Sequence, residues 1–479
     1  MKDIAQRALN AAQLRGASYA DVRVVRQEWQ SIQVKNGRVD ALAQNESAGF
    51  GVRALVNGCW GFASSSRITL AEATRVAARA VEIARASSLA RAAPVVLGPA
   101  LHTVAWYETP CQVDPLRIPL EDKVELLLAA DESMRRLKHV AVAEGSMEFI
   151  CEVKTFASTE GSFIEQRLVE SGAGIEVTAV GNGELQTRSY PNSFGRQQMK
   201  GGYEQILQLD LADHGEQIAE EACALLSAPQ CPSRTTTLIL DSSQLALQVH
   251  ESCGHPAELD RVLGDEASFA GTSFLTTDRL GTFRYGSPLV TIVADATVPG
   301  ALGTFGFDDE GVPAQRSVIV DQGLFKGYLM SRESAATLGR ESNGAMRADG
   351  WSRIPLIRMT NINLEPGQWR LDDLIADTDD GVYMAVNKSW SIDDKRLNFQ
   401  FGTQLAYEIK QGKLGRLLKN GNYSGITPEF WGSCDAVCGA SDWRMWGLPN
   451  CGKGQPMQTA HVGHGAAPAR FRNVRVGIR

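Results

Sequence analysis

Two histidines around a glutamate lie just past the midpoint of the 479-residue chain, at His250, Glu251 and His255. Two imidazoles can hold a zinc ion, and a neighbouring carboxylate can accept a proton from the water that attacks a substrate. The usual spacing, His-Glu-x-x-His, places both histidines on one helical face, but here the second histidine comes one residue later. The residues indicate metal-assisted hydrolysis. The alternative, a histidine pair without function, is common for so short a motif.

This spacing predicts an irregular helix. In a regular α-helix, side chains five residues apart diverge by about 140°, too wide an angle to share one small ion. A π-helical turn brings them back to the same side. Gly254 tolerates unusual backbone angles, and Pro256 removes a helical donor. We therefore predict a helix from about Ser243 that widens or kinks over residues 253–255.

A third protein ligand is needed to complete a catalytic zinc site, which usually keeps one further position open. The nearest carboxylates are those of Glu258 and Asp260, whose directions depend on the turn at Pro256. Cys253 lies between the histidines and points elsewhere if both imidazoles converge. Cys451 lies in a glycine loop that can place a thiolate against a metal. Spacing alone leaves the choice among these residues open.

Two cysteines and two histidines near the C-terminus offer a separate, structural zinc site as an alternative. They are Cys434, Cys438, His461 and His464. The spacing of the two histidines is shorter than in the usual zinc-finger pattern, so this interpretation is the less favoured one.

The composition argues against several classes of protein. A formal net charge of −7 and a pI near 5.7 argue against a nucleic-acid-binding protein that works through bulk electrostatics. No apolar run is long enough to span a membrane, and the first residues lack the apolar core of a secretory signal. Nine scattered cysteines do not resemble a disulfide framework. We therefore expect a cytoplasmic protein whose partners include neither membrane nor nucleic acid.

The first half of the chain shows an order of elements typical of an α+β domain with antiparallel sheet and flanking helices. Apolar spacing predicts helices over 2–15, 69–89, 120–137 and 206–226. Alternation predicts strands over 20–34, 49–56, 140–143, 149–158 and 163–180. The proline-bearing residues 94–115 are expected to cross the surface without regular structure.

A polar segment with two prolines, 227–233, is the expected boundary between domains 1–228 and 232–479. The second domain opens with a strand over 235–240 that leads into the motif helix, with Asp241 or the residue after it as N-cap. Beyond that helix, strand-like segments dominate. We therefore expect a β-rich, barrel-like sheet packed on the motif helix.

Four further stretches of the second half carry recognisable patterns. They are Asp308-Asp309-Glu310-Gly311-Val312-Pro313, Gly323-Leu324-Phe325-Lys326-Gly327-Tyr328, Asn343-Gly344 followed by Arg358-Met359-Thr360-Asn361, and Cys451-Gly452-Lys453. Together with the histidine motif, they resemble the corresponding segments of the TldD/PmbA family of cytoplasmic metallopeptidases, once called modulators of DNA gyrase. The matches cover most of residues 235–475.

The resemblance implies a two-domain chain that works as a dimer. It also implies one divalent metal ion per chain, of zinc type, on His250, His255 and Cys451, with Glu251 as general base. In the family, the active subunit often pairs with a related chain that lacks the metal motif. This chain resembles the active type, in a homodimer or in a heterodimer with such a relative. It departs from the family pattern at Pro256, directly after the motif.

The function implied is hydrolysis of short or unfolded peptides by a metallopeptidase. An extended peptide can pair with a strand edge through its main chain, with little side-chain selectivity. The substrate-binding residues are expected near that edge, because the family match is close there. They are Arg358, Met359, Thr360 and Asn361.

Two alternatives belong to other classes of function. The first is a non-catalytic peptide-binding module whose metal only stabilises the fold, with Glu258 as a fourth ligand. The second is a regulator of a DNA-acting enzyme, against which the acidic charge counts. A tryptophan-rich stretch over 431–446 is either a lip for the substrate or core packing, and packing is favoured.

Overall fold

The computed structural model describes residues 1–90, 93–193 and 196–477, and contains 23% helix and 42% strand. The predicted α+β class with a barrel-like second half is confirmed. None of the described helices combines the length and apolar character needed to cross a membrane. The α-helices are α1 (Lys2–Gln13), α2 (Leu70–Ser88), α3 (Leu120–Met134), α4 (Glu204–Leu207), α5 (Leu211–Leu225), α6 (Ser242–Val249), α7 (Leu259–Leu263), α8 (Arg332–Thr337), α9 (Leu371–Ala376) and α10 (Thr427–Gly432).

An eight-stranded sheet forms the first half. Its strands are β1 (Tyr19–Lys35), β2 (Arg38–Val56), β3 (Cys59–Ser65), β4 (Val104–Glu108), β5 (Val140–Ser158), β6 (Phe163–Gly181), β7 (Glu184–Tyr190) and β8 (Gln197–Lys200). They run in the order β3-β2-β1-β5-β6-β4, and β7 and β8 also pair with β6. Asn36-Gly37 and Asn57-Gly58 make the turns on either side of β2, each with positive φ at both residues.

Two pairs of helices cover this sheet. Alanine-rich faces of α1 and α2 pack where β1 begins and β2 ends, and α3 and α5 pack on β5 and β6. Thr69 caps α2 by accepting a hydrogen bond from the backbone N–H of Glu72 at 3.3 Å, as its sequence predicts. The antiparallel sheet with flanking helices therefore buries its apolar residues in two separate clusters.

A closed five-stranded barrel forms the centre of the second half. The strands of this half are β9 (Arg234–Leu240), β10 (Ile292–Asp295), β11 (Arg316–Asp321), β12 (Leu324–Phe325), β13 (Met346–Arg347), β14 (Leu356–Ile357), β15 (Ile362–Leu364), β16 (Asp380–Ile392), β17 (Asn398–Lys410), β18 (Lys413–Leu418), β19 (Asn422–Ile426), β20 (Cys434–Val437), β21 (Arg444–Lys453), β22 (Gln458–Ala466) and β23 (Ala469–Val476). Strands β16, β9, β23, β19 and β17 pair in that order, and β17 pairs again with β16.

The barrel holds the motif helix α6 through both apolar and polar contacts. Leu245 and Val249 of α6 belong to the same buried cluster as barrel residues. The hydroxyl of Tyr423 in β19 donates to the side-chain amide of Gln248 at 2.9 Å and accepts from that of Gln244 at 3.0 Å. The position of α6 is therefore set by tertiary contacts on two successive turns.

Several segments differ from the sequence-based expectation. Strand β2 begins at Arg38, well before the expected 49–56, and β3, β7 and β8 were not predicted. Residues 104–108 form β4, parallel to β6, where an irregular crossing was expected. Strand β5 continues through Gly145, because this residue pairs with both β1 and β6. The expected helix over 206–226 is two helices, since Asp210 has a left-handed φ of 46° between them. The domain boundary at 227–233 stays a prediction.

Buried ion pairs join the two halves at the Asp308–Pro313 segment. The carboxylate of Asp309 lies 2.9 Å from Lys154 Nζ and 3.6 Å from Arg23 Nη1. The carboxylate of Glu310 lies 3.2 Å from Arg53 Nη2. Burial raises the pKa of Asp309, but its two cationic partners outweigh burial and the pKa is lowered. The carboxylate of Asp309 therefore stays charged and matches cations of the first half.

We expect Asp309→Asn to destabilise the protein by about 3 kcal/mol, because the buried Lys154 and Arg23 lose their shared counter-charge. The measurement is the urea midpoint of unfolding. Glu216→Gln, which breaks an exposed pair with Arg136, is the matched control and should change stability by less than about 0.5 kcal/mol. Equal midpoints for both variants would contradict the structural role assigned to this network.

Candidate metal centre

The two motif histidines are carried by a helix that widens between them. Asp241 caps α6 by accepting from the backbone N–H of Ser243 at 2.9 Å. The chain then forms a π-helical turn over His250–Gly254 and a 3-10 turn over His255–Ala257. The predicted widening is confirmed, although it begins at His250.

Gly254 allows this turn to pack closely against Met359. A Cβ atom at this position would lie 2.1 Å from the sulfur of Met359. Any side chain would therefore push the turn away from Met359, which is fully buried. The glycine thus serves close packing as well as backbone freedom.

Three candidate metal donors converge at the turn. One ligand atom from each of His250, His255 and Cys451 lies within 4.8 Å of the others. Cys451 Sγ is 3.7 Å from His255 Nε2, and the two imidazole rings are nearly perpendicular, at 87°. All three residues are buried. The structure thus brings together the three residues that the family resemblance implies.

The hydrogen bonds of the imidazoles determine which ring nitrogens are free. His255 Nδ1 donates to the carboxylate of Glu258 at 2.9 Å, since a carboxylate can only accept. His464 Nδ1 donates to the carbonyl of Ile362 at 3.2 Å, so its Nε2 accepts from His250 Nδ1 at 2.8 Å. Both motif histidines therefore keep an unprotonated Nε2. Such outer partners orient the histidines of metal sites.

Burial favours the neutral form of these histidines. Desolvation lowers the pKa of His250 to about 4 and those of His255 and His464 well below their usual value. A neutral imidazole is the form that binds a metal. The rings are therefore in the protonation state of ligands at neutral pH.

Cys451 is held in an environment that favours its thiolate. Burial raises the pKa of the thiol, but the positive charge of the Arg358 guanidinium opposes this effect, and the pKa is lowered. Arg358 is itself buried and donates to the carbonyl oxygen of Cys451 at 2.5 Å. Two neutral imidazoles and a thiolate form a donor set that suits zinc.

Lys453 anchors the strand end that carries Cys451. Its ammonium is completely buried and donates to the carbonyl of Ile357 at 2.6 Å and to Asp260 at 2.7 Å. It also lies 3.4 Å from the carboxylate of Glu258. Because Glu258 contacts His255 at Nδ1, on the ring edge opposite Nε2, its bonded oxygen lies outside the three-donor cluster.

Glu251 faces the same cavity as the donors. It is largely buried and forms an ion pair with Arg396 Nη1. The cavity has a volume of about 250 Å³. Besides the donors and Glu251, its walls include Asn387, Trp390, Trp446 and Asn450.

Residues 358–361 lie behind the donors, and in the described part of the chain none of them lines this cavity. Arg358 and Met359 contact Cys451 and Gly254, as described above. The carbonyl of Thr360 accepts from the backbone N–H of Gly463. Asn361 bonds to Gly303, Thr304 and the carbonyl of Asp295. Direct substrate contact by these residues stays a prediction.

The alternative zinc site near the C-terminus is wrong for the described residues, where the candidate cluster is the one around His250. Cys434 and Cys438 lie in apolar surroundings, and burial raises the pKa of each thiol to about 12. His461 bonds to Glu170 at 2.5 Å, and His464 bonds to His250. The four side chains are thus committed to other contacts.

The sequence-based analysis missed the roles of His464 and Arg396. A histidine on β22 gave no signal of contact with the motif, because β22 packs against the motif helix only in the tertiary structure. Arg396 stands in a turn without any recognisable motif. In the tryptophan-rich stretch, Trp431 is fully buried as predicted, whereas Trp446 lines the cavity.

Comparison with known proteins agrees with this architecture. Three family models match the chain: PmbA/TldA metallopeptidase domain 1 over residues 20–84, the central domain over 113–226 and the C-terminal domain over 233–477. A metalloprotease of Methanocaldococcus jannaschii is 30% identical over 455 residues, covering 94% of this chain and 95% of that protein. A zinc metalloprotease TldD homolog of Saccharolobus solfataricus is 24% identical and covers 50% of this chain and 51% of that protein.

Solved structures show the same fold. A Thermotoga maritima protein described as a candidate modulator of a DNA gyrase is 18% identical, with a TM-score of 0.78 over 98% of this chain and 99% of that one. TldE from Thermococcus kodakarensis is 16% identical, with a TM-score of 0.73 over 99% of both chains. The family models span most of the chain, the metalloprotease relative matches over 95% of its length, and three donors converge in one cavity. The chain therefore belongs to the PmbA/TldD family of metallopeptidases.

Proposed function

We propose that this chain is a zinc-type metallopeptidase of the His-Glu-x-x-x-His type that hydrolyses short or unfolded peptides. One observation carries the proposal. The three donors converge beside Glu251, whose carboxylate is carried by the π-helical turn, and all four side chains face one cavity. Relatives named metalloproteases support the peptidase activity, and one named for zinc supports the choice of metal.

His250, His255 and Cys451 would hold one divalent ion per chain, leaving a fourth position towards the cavity. A zinc ion there supplies a Lewis acid that polarises the scissile carbonyl and acidifies the attacking water. Arg358 keeps Cys451 in the ligating form. His464 and Glu258 keep the two imidazoles oriented. The donor set is thus prepared by the protein itself.

Glu251 would act as the general base. Its position directly after His250 places its carboxylate beside the donors and in the cavity wall. There it can accept the proton of the attacking water and later transfer it to the leaving amine. Burial of the site limits access of bulk water to these steps.

The peptide would lie along β21. Seven consecutive residues of this strand, from Trp446 to Gly452, line the cavity and include the donor Cys451. A strand edge of this kind binds an extended peptide through main-chain hydrogen bonds. A cavity of about 250 Å³ accommodates a few side chains and excludes a folded domain.

The alternative of a non-catalytic, metal-stabilised binding module has less support. A purely structural zinc ion has four protein ligands. Glu258, the candidate for the fourth position, bonds to the far edge of His255 instead. For the gyrase-regulator alternative, the likeness to the Thermotoga protein is at 18% identity and concerns the fold alone.

The proposal includes a dimer in the reducing cytoplasm. All nine cysteines are unpaired, as that compartment permits. The fold shared with TldE suggests a related chain as the partner, with a second copy as the other candidate. We expect a native mass of two chains, each of 51.9 kDa, by native mass spectrometry of the purified protein. A monomer with full peptidase activity would contradict this part of the proposal.

Glu251→Gln is expected to reduce cleavage of an unstructured peptide about a hundredfold or more, because the water loses its proton acceptor. The measurement is the initial rate at equal metal content, determined by metal analysis of both proteins. Gln keeps the size of the side chain, so metal binding should be retained. Equal rates for the two proteins would rule out the proposed role of Glu251.

His464→Ala is expected to weaken metal binding about 10- to 100-fold, because His250 loses the acceptor that orients it. Affinity is measured by competition with a chelator. His464→Gln keeps an acceptor and should lose less, and His461→Ala, on the same strand, should bind metal as the wild type does. Equal losses in all three variants would show a general effect on the strand instead.

A further inference from the structure

The carboxylate proposed as general base is already engaged in the free protein. Glu251 Oε2 accepts a hydrogen bond from Arg396 Nη1, and the two side chains are only 7% and 15% exposed. An oxygen that bonds to a guanidinium offers fewer lone pairs to a water molecule. Opening or shifting the pair frees that oxygen fully for the attacking water.

Arg396 is aimed into the cavity by a rigid turn. It has a left-handed φ of 63°, unusual for a residue with a long side chain. Its backbone N–H donates to the carbonyl of Asp393 at 2.8 Å, and its carbonyl accepts from the hydroxyl of Thr427 at 2.9 Å. The neighbouring Lys395 carbonyl accepts from the backbone of Phe274. Such strained and well-fixed positions are frequent at functional sites.

The guanidinium of Arg396 has donors to spare. Its Nε is buried and meets no acceptor in the part of the chain that the structure describes. A buried N–H without a partner is costly, which favours an acceptor supplied from outside. The flat fork of a guanidinium fits a carboxylate, which can take two of its N–H groups at once.

Two arginines stand in the wall of this cavity. Among its described lining residues, Arg196 and Arg396 are the arginines, and their charges are matched by the carboxylate of Glu251 and the thiolate of Cys451. A divalent ion held by the three donors would add two positive charges and make the loaded cavity cationic. A cationic cavity concentrates anionic ligands.

We propose that Arg396 is the receptor for a carboxylate of the peptide, and that this carboxylate replaces Glu251 on the guanidinium. This inference rests on the proposed peptidase function. The carboxylate is either the C-terminal one or that of an aspartate or glutamate side chain. The exchange releases Glu251 towards the attacking water at the moment when substrate is bound.

The exchange keeps the buried guanidinium of Arg396 paired. One carboxylate leaves the guanidinium and another takes its place, so that Arg396 is never left without a counter-charge. A peptide without a carboxylate within reach has to open the same ion pair with no replacement. The enzyme should therefore select anionic peptides and spare neutral ones.

The test compares three unstructured peptides derived from one parent sequence without acidic side chains. They are the parent with a free C-terminus, the parent with a C-terminal amide, and the amide in which one residue next to the cleaved bond is replaced by aspartate. We expect the wild type to cleave at least one carboxylate-bearing peptide with a kcat/KM about tenfold or more above that of the neutral amide. The peptide that shows this gain identifies the source of the carboxylate. Arg396→Gln should bring the ratio to about one.

Arg196→Gln is the matched control, because it removes the other arginine of the cavity wall and should keep the preference. A loss of preference in Arg196→Gln but not in Arg396→Gln would overturn the assignment. Arg396→Lys keeps the charge without the fork and should retain only part of the preference. If Arg396→Gln does not fold, Arg396→Lys takes its place in the test.

A binding measurement separates this inference from the peptidase proposal. Calorimetry with metal-loaded Glu251→Gln reports peptide affinity without turnover. Because this variant lacks the competing carboxylate, it should bind the preferred carboxylate peptide about tenfold or more tightly than the amide. The double variant, with Arg396→Gln added to Glu251→Gln, should bind both peptides equally. Equal affinities together with equal cleavage would refute the receptor and leave the peptidase intact. Preferential binding without cleavage by the wild type would refute the peptidase and leave the receptor.

Discussion

Two imidazoles that stand five residues apart can share one cation only if the helix between them is wider than an α-helix. The turn His250–Gly254 provides this width, and the absence of a side chain at its last residue allows Met359 to pack against it. The rest of the site depends on that turn. Strand β19 fixes its helix through Tyr423, and β21 brings Cys451 to it. A regular helix here would separate the donors even in an unchanged barrel.

A buried charge destabilises the protein unless a charge of opposite sign lies close to it. This requirement explains several of the charged residues around the site. Three anions at the site each face a cation, and the cation of one pair, Lys453, also contacts Asp260. The pairs are Cys451 with Arg358, Glu258 with Lys453, and Glu251 with Arg396. The first two lie behind the donors and hold them in place. The third faces the cavity, where a ligand can compete for it, so the pair with the greatest freedom belongs to the proposed general base.

The same matching of charges occurs far from the site. Asp309 and Glu310 belong to a recognisable motif, yet they face Lys154, Arg23 and Arg53 of the first half. Residues 358–361 likewise contact the backbone and the packing around the donors. A family motif therefore marks a buried charge or a close approach of two chain segments as readily as a contact with substrate, because both tolerate few substitutions.

The sequence by itself determined the elements with local causes. The helix caps at Thr69 and Asp241, the Asn-Gly turns and the π-helical turn depend on neighbouring residues, and their patterns were sufficient to predict them. The family resemblance added the three donors. Only the tertiary structure decided how the site is completed. His464 and Arg396 reach the motif from 214 and 145 residues away in the chain, through the packing of β22 against α6 and through a turn between barrel strands. Periodicity and spacing carry no information about such contacts, because they report the conformation of a segment and not what it will lie against.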